Sequence, residues 1–246
     1  MPLKKGSRNQ RRDERLDKSE QFAQRLLIWF EENQRQFPWR RTKDPYNVLL
    51  AEVFLRKTNA PKVVCVYERF VSRYPRFEAL ANIPEQELEK VLKPLGLYRR
   101  RARDLRRLAE IVMAKYDGEI PSSREELMEL PGVGSYTANA VLCFAFGETV
   151  PLLDTNVIRV VTRVFSFKPK RKRARDDPEM WRAVRRIVPR GKARDFNLAM
   201  LDLAAATCLP RKPKCVMCPV FSLCDYYRAV NDQDRRSSAF RRKGSY

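Results

Sequence analysis

Leu130-Pro131-Gly132-Val133-Gly134-Ser135-Tyr136-Thr137-Ala138 lies between two segments whose apolar residues repeat at helical spacing. Gly132 and Gly134, one residue apart, permit a tight turn that an ordinary side chain would obstruct. They also let the backbone N–H groups at the start of the next helix face a phosphate. Such a hairpin can grip a nucleic acid backbone without reading its sequence. The same residues suit an ordinary helix–helix turn, and the rest of the chain decides between the two.

Working outward, the pattern stays helical. Phe22, Leu26, Leu27 and Phe30 recur at helical spacing over residues 20–32. Pro38 and Pro45 bracket a loop containing Trp39, and a second helix is predicted through Val48, Leu49, Val53 and Phe54. Further helical patterns cover residues 62–74, 84–92, 99–116 and 124–130. No convincing alternating strand pattern is present and glycines number only eight, so the predicted fold class is all-α. Residues 1–18 read as a flexible basic arm that either touches phosphates or has no role. Residues 231–246 form a mobile basic tail. The run from Phe167 to Arg175 is a basic loop, set either near DNA or simply in solvent.

Charge narrows the partners. Lys and Arg total 51 against 30 acidic residues among 246, a net charge of +21 with a pI near 10.1. Such an excess attracts polyanions, of which nucleic acid is the commonest. Hydrophobic residues make up 43%, enough for a real core in one large domain or two small ones. The absence of histidine removes Ser-His-Asp and Cys-His catalysis and His-based metal sites. Acid–base chemistry then falls to carboxylates, Lys, Tyr, Cys or the substrate. No apolar run reaches the roughly 18 residues of a membrane span, and the charged N-terminus has no apolar signal core. A cytoplasmic, nucleoid-associated protein is expected, in a compartment where structural disulfides are uncommon.

The six cysteines therefore suggest metal, free thiols or both. Cys208-x6-Cys215-x2-Cys218-x5-Cys224 places four thiols within 17 residues, among Pro210, Pro213 and Pro219. Four thiolates at this spacing can enclose one soft-metal centre, and spacing alone leaves zinc and [4Fe–4S] open. Cys65 and Cys143 sit in apolar stretches and read as buried thiols. Eighteen residues after Tyr136 comes Asp154, in Pro151-Leu-Leu-Asp154-Thr155-Asn156. An aspartate before a new helix can be merely its N-cap.

The cysteine spacing closely resembles the [4Fe–4S] loop of endonuclease III and its relatives. Leu-Pro-Gly-Val-Gly followed by Asp154 resembles the helix-hairpin-helix-Gly/Pro-Asp motif of the same DNA glycosylase superfamily, and residues 45–228 fit that pattern in order. The resemblance implies two all-α lobes with DNA bound at the cleft. One lobe, residues 41–150, is a helical barrel with the hairpin. The other, residues 19–40 and 151–230, carries the cluster. It implies one [4Fe–4S] cluster on Cys208, Cys215, Cys218 and Cys224, in a loop whose Arg211, Lys212 and Lys214 approach DNA. It implies backbone contacts from Gly132, Val133, Gly134, Ser135 and Thr137, and allows a monovalent cation at the hairpin. Asp154 becomes the catalytic carboxylate. The implied partner is double-stranded DNA with a mismatched base, bound by a monomer.

Departures from the family pattern sharpen the expectation. Bifunctional members carry a lysine two residues after the second glycine. Here that position is Tyr136, which resembles the monofunctional members. Adenine glycosylases of the MutY type carry Asp-Gly-Asn and Gln-Gln-Thr where this chain has Asp154-Thr155-Asn156 and Arg56-Lys57-Thr58. Mig-type mismatch-specific thymine glycosylases carry Glu-x-x-Leu-Arg-Arg-Thr, closer to Glu52-Val-Phe-Leu-Arg56-Lys57-Thr58, and also resemble Gly191–Asn197. The chain ends soon after the cluster, so the extra C-terminal domain of the MutY type is expected to be lacking. Removal of thymine or uracil opposite guanine is the expectation. Adenine excision opposite guanine or 8-oxoguanine is the alternative, and a mismatch-binding protein without catalysis is the non-enzyme alternative.

The resemblance makes Glu52 an active-site glutamate, for which a surface helix carboxylate is the plain reading. Arg56 or Lys57 can wedge into the gap left by a flipped base, contact the opposite guanine, or hold a phosphate. Tyr136 either lines the extruded base or packs the hairpin. Asn156 either orients Asp154 or caps the following helix.

Overall fold

The computed structural model describes residues 10–232, with side chains from Lys18 onward. All regular structure among the described residues is helical. The chain divides into two compact units, Arg35–Leu152 and the residues up to Gln34 with those from Leu153 onward.

The first unit contains α2 (Pro45–Leu55), α3 (Ala60–Arg73), α4 (Phe77–Ala81), α5 (Glu85–Leu92), α6 (Tyr98–Tyr116), α7 (Arg124–Glu129) and α8 (Ser135–Phe144). Asp44 starts α2 by accepting from the Asn47 N–H at 2.7 Å, and Pro45 follows at the first turn, where its missing N–H costs nothing. Val48 to Phe54 are buried all round α2, and Thr137 to Phe144 are buried all round α8. Helices apolar on every face belong in the middle of a domain, and α2 and α8 pack on each other. Amphipathic α3 packs on α2 and α5, and amphipathic α5 packs on α6. On α3, Val63, Val66, Tyr67 and Phe70 form the inward stripe. Cys65 falls off that stripe and is exposed, not buried as its apolar neighbours suggested. Helical phase overrides local composition here. Cys143 on α8 is buried, as expected.

The second unit contains α1 (Gln10–Asn33), α9 (Thr155–Phe165), α10 (Pro178–Ile187), α11 (Ala193–Ala206) and the cysteine loop, with helical backbone again over 225–232. Helix α1 starts well ahead of the apolar repeat at residue 20, because Arg, Glu and Lys are good helix formers without any apolar face. Residues 1–9 of the expected basic arm and 233–246 of the tail lie outside the described residues. Phe22 is fully buried and meets Phe165 and Phe196 edge-on, with ring centroids 5.2 and 6.1 Å away. This aromatic trio ties α1, α9 and α11 together. Val157, Val160, Val161 and Val164 make the buried stripe of α9. That phase leaves Arg159 and Arg163 on the flank that meets the cysteine loop.

Candidate active site and nucleic-acid interface

The hairpin lies in the first unit. Gly132 adopts φ +77°, and a Cβ there would stand 2.8 Å from Nη1 of Arg56. Glycine is thus required twice at this position, by backbone conformation and by close approach. Gly134 differs. Its φ is −109° and a Cβ would meet nothing within 4 Å, so the turn itself does not demand a glycine there. Gly134 is the N-cap of α8 and gives no side-chain hydrogen bond to the helix start. The first N–H groups of α8 consequently have no side-chain cap, and the space beside Gly134 is open. Val133 and Thr137 are buried, while Ser135 and Tyr136 are half-buried and Gly132 and Gly134 exposed.

Arg56 is held within the unit. Its Nη1 donates to the Gly132 carbonyl at 3.0 Å and its Nη2 lies 3.9 Å from an Asp104 carboxylate oxygen. Arg101, only 4% exposed, donates to the carbonyls of Val53, Arg56 and Gly96 and to Oγ1 of Thr58. It satisfies the last carbonyls of α2 and fixes the turn that follows. Lys57 sits on that turn at φ +56° and is exposed. The two adjacent cations thereby part company, Arg56 toward the hairpin and Lys57 toward solvent. Glu52 is 7% exposed on α2, so it is not the surface helix carboxylate of the plain reading. Buried Asn139 donates to the Pro151 carbonyl at 2.8 Å and accepts from Arg124, anchoring the extended segment that follows α8.

Asp154 opens the second unit. It is the N-cap of α9, and its Oδ1 accepts from the backbone N–H of Asn156 at 2.9 Å and of Val157 at 2.7 Å. Its Oδ2 accepts from Nδ2 of Asn156 at 2.7 Å. Asn156 in turn accepts from Nη1 of Arg159 at 3.1 Å. Arg159 also donates to the carbonyls of Cys208 and Ala204, at 2.8 and 3.0 Å. The N-cap reading of Asp154 and the orienting reading of Asn156 therefore describe one arrangement, connected by hydrogen bonds to the cysteine loop.

Cys208, Cys215, Cys218 and Cys224 line one cavity, with Val160, Arg163 and Leu203. Among the described residues no three His, Cys, Asp or Glu side chains are set to hold a single metal ion. Burial pushes the Cys218 thiol up to about 12, and burial also raises those of Cys215 and Cys224. Arg163 stands over them, with Nη1 3.4 Å from the Cys208 sulfur and 2.7 Å from the Leu209 carbonyl. The Lys214 N–H closes the loop onto the Thr207 carbonyl at 2.9 Å. Arg211, Lys212 and Lys214 are exposed on it. Among the described residues no helix is long and apolar enough to cross a membrane.

Residues 50–186 match the HhH-GPD superfamily of base excision DNA repair proteins. The chain belongs to that superfamily. It is 46% identical over 217 residues to the thymine-DNA glycosylase of Aeropyrum pernix, covering 86% of this chain and 97% of that one. The thymine/uracil-DNA glycosylase of Methanothermobacter thermautotrophicus is 40% identical over 206 residues, covering 84% and 93%. The solved structure of a thermostable thymine-DNA glycosylase superposes with a TM-score of 0.83 at 39% identity, covering 87% of this chain and 98% of that one. Adenine DNA glycosylases match at 32–35% identity. The all-α helix-hairpin-helix fold expected from the sequence is the fold of this superfamily.

Sequence reasoning missed Arg101, Asn139 and Arg163. Each binds backbone carbonyls, a partner that leaves no mark in residue type. The four-residue spacing of Arg159 and Arg163 after Asp154 was the available signal, since it puts both on one helix flank.

Proposed function

We propose that the chain is a monofunctional DNA glycosylase that removes thymine or uracil mispaired with guanine. The observation that carries this reading is the carboxylate of Asp154, held at the start of α9 by three donors from Asn156 and Val157. Cleavage of the C1′–N bond leaves its electron pair on the departing base and oxocarbenium character on the sugar. A fixed anion near C1′ stabilises that cation by electrostatics or by covalent capture. Water then supplies hydroxide to C1′, and its proton ends on the released base. Tyr136 offers no amine to form a Schiff base, so the abasic strand stays intact.

The target base leaves the stack to be cut. Tyr136 lines the extruded base, and buried Glu52 supplies a hydrogen bond to it. The N–H groups at the start of α8, with open space beside Gly134, take a phosphate. Exposed Lys57, rather than Arg56, reaches the DNA. Exposed Arg211, Lys212 and Lys214 contact its backbone.

Cys208, Cys215, Cys218 and Cys224 would hold one [4Fe–4S] cluster. Four thiols around one cavity, with the Arg163 guanidinium beside them, suit an anionic thiolate cluster wider than one zinc ion. When bound, such a cluster fastens its loop, and the reaction above needs no electron transfer.

The test is base release from labelled duplexes containing T:G, U:G, A:G or A opposite 8-oxoguanine, each with and without hot alkali. Alkali-dependent cleavage of T:G and U:G is expected. Cleavage confined to the adenine strands would overturn the reading. That second reading draws on Glu52, whose burial suits a carboxyl that protonates a purine nitrogen.

A further inference from the structure

The basic run between α9 and α10 is a built loop. Asp177, 2% exposed, turns its carboxylate back into it. Oδ2 accepts from the backbone N–H of Lys170 at 2.5 Å and of Arg171 at 3.4 Å, while Oδ1 accepts from the Glu179 N–H at 2.9 Å. The hydrogen bond from Lys170 does most to hold this carboxyl below the usual carboxylate range, so it stays ionised. Arg171 donates to the Asp176 carbonyl at 3.0 Å, and Nε1 of Trp181 donates to the Arg175 carbonyl at 2.8 Å. The one buried acid is thus spent on backbone groups, and the cations keep their charge outward. Lys168, Lys170, Lys172 and Arg173 are exposed, and none has an ion-pair partner among the described residues.

Four such cations within six residues repel one another, and their concentration on a fixed scaffold is what binds a polyanion. We infer that the loop spanning residues 168–175 is a second phosphate-binding surface, for the backbone of duplex DNA flanking the reacting nucleotide. The inference rests on the proposed glycosylase reading for the presence of DNA. Helix α9 has 11 residues, about 16 Å at 1.5 Å per residue, and separates the loop from Asp154. That is roughly five nucleotides at 3.4 Å each, too far for the reacting base and suited to its flank. The contact is sequence-independent, since Lys and Arg without a rigid base-edge geometry meet phosphates. It holds the enzyme on undamaged DNA during search.

The test compares the full-length protein with its K168S/K170S/K172S/R173S variant. Affinity is measured across a salt series for mismatch-free duplexes of about 40 and about 12 base pairs, because each phosphate contact adds about 0.9 to the salt slope. On the long duplex the slope is expected to fall by roughly two to four. On the short one, which still spans those roughly five nucleotides but carries fewer condensed counterions near its ends, the fall should be smaller. Excision at saturating enzyme should be unchanged, and a Lys-to-Arg triple variant should keep the full slope. An unaltered slope on the long duplex overturns the inference, and leaves an acidic protein or an anionic surface as the partner. Should the quadruple variant unfold, K170S/K172S serves, with a drop of one to two expected. A slope loss without any thymine or uracil release would sink the proposed activity and leave this surface standing. Failure of the wild-type protein to bind duplex would sink both.

Discussion

Asn156 grips Asp154 twice, giving its backbone N–H to Oδ1 at 2.9 Å and its side-chain amide to Oδ2 at 2.7 Å. The second bond is the one that fixes the plane of the carboxylate, because the first is shared with the Val157 N–H and belongs to ordinary helix capping. Charge and orientation can therefore be separated by mutation. Asp154→Asn keeps a cap acceptor but removes the anion. Single-turnover excision is expected to fall by more than about a thousandfold, some 4 kcal/mol at 1.36 kcal/mol per decade, with duplex binding largely retained. Asn156→Ala keeps the anion and frees its plane, with an expected loss of about ten- to a hundredfold in the same assay. Equal activity in Asp154→Asn and the wild type would remove Asp154 from the chemistry.

Tyr136 occupies the second position of α8, immediately after the hairpin. An amine placed there gains a route to C1′ that the phenol lacks. Tyr136→Lys is expected to nick the strand without alkali and to form a covalent adduct with substrate under borohydride. The wild-type protein should form none. Absence of an adduct in the variant, with base release intact, would mean that position 136 does not face the sugar.

The elements that the sequence made legible are those with a strong period or a fixed motif. The stripes of α3 and α6, the cap at Asp154 and the Gly132 turn all follow from local rules. The short α4 escaped because five residues hold no readable period, and α10 and α11 lie beyond the last helical pattern read from the sequence. Cys65 has apolar neighbours that suggest burial, while its helical phase points it outward. The sequence makes Gly134 a steric need of the turn, yet the protein leaves its side open. Arg56 and Lys57 are indistinguishable by type, and only the positive φ at Lys57 and the Gly132 carbonyl opposite Arg56 separate them. Asp177 before Pro178 carries the local mark of a helix N-cap, but its bonds to backbone N–H groups seven and six residues upstream left no sign in the sequence.

The cysteine loop carries its own test. The purified protein is expected to contain iron and acid-labile sulfide in equal amounts, with the broad visible absorption of an iron–sulfur cluster and no zinc. Cys218 is the proposed ligand whose thiol burial raises to about 12, so an unligated loop holds it neutral and poorly hydrated. Cys218→Ser should lose the iron and lower stability by about 4 kcal/mol or more, the range typical of a lost structural metal. DNA affinity should fall with it, because Arg211, Lys212 and Lys214 lose their anchored loop. Stoichiometric zinc in the wild-type protein would refute the cluster assignment while leaving the glycosylase reading intact.

Gly132 and Arg56 form a pair suited to a double-mutant cycle. Gly132→Ala meets two separate penalties. One is the positive φ of +77°, which costs an ordinary residue roughly 1–2 kcal/mol. The other is the approach of the new Cβ to Nη1 of Arg56 at 2.8 Å, which pushes the guanidinium off the Gly132 carbonyl. Removing that one charged hydrogen bond, with the side chain still half exposed, is worth about 1 kcal/mol. Gly132→Ala should therefore destabilise the protein by about 2–3 kcal/mol in denaturant unfolding. In an Arg56→Ala background the same change should cost only the backbone part, about 1–2 kcal/mol. A coupling energy near 1 kcal/mol is the expected result. Strict additivity would mean that the hairpin tolerates a methyl beside Arg56 by shifting as a unit, and that Arg56 does not set its position. The Lys57→Ala variant supplies the contrast, leaving unfolding within about 0.5 kcal/mol of wild type while weakening duplex binding, as an outward side chain on a strained turn requires.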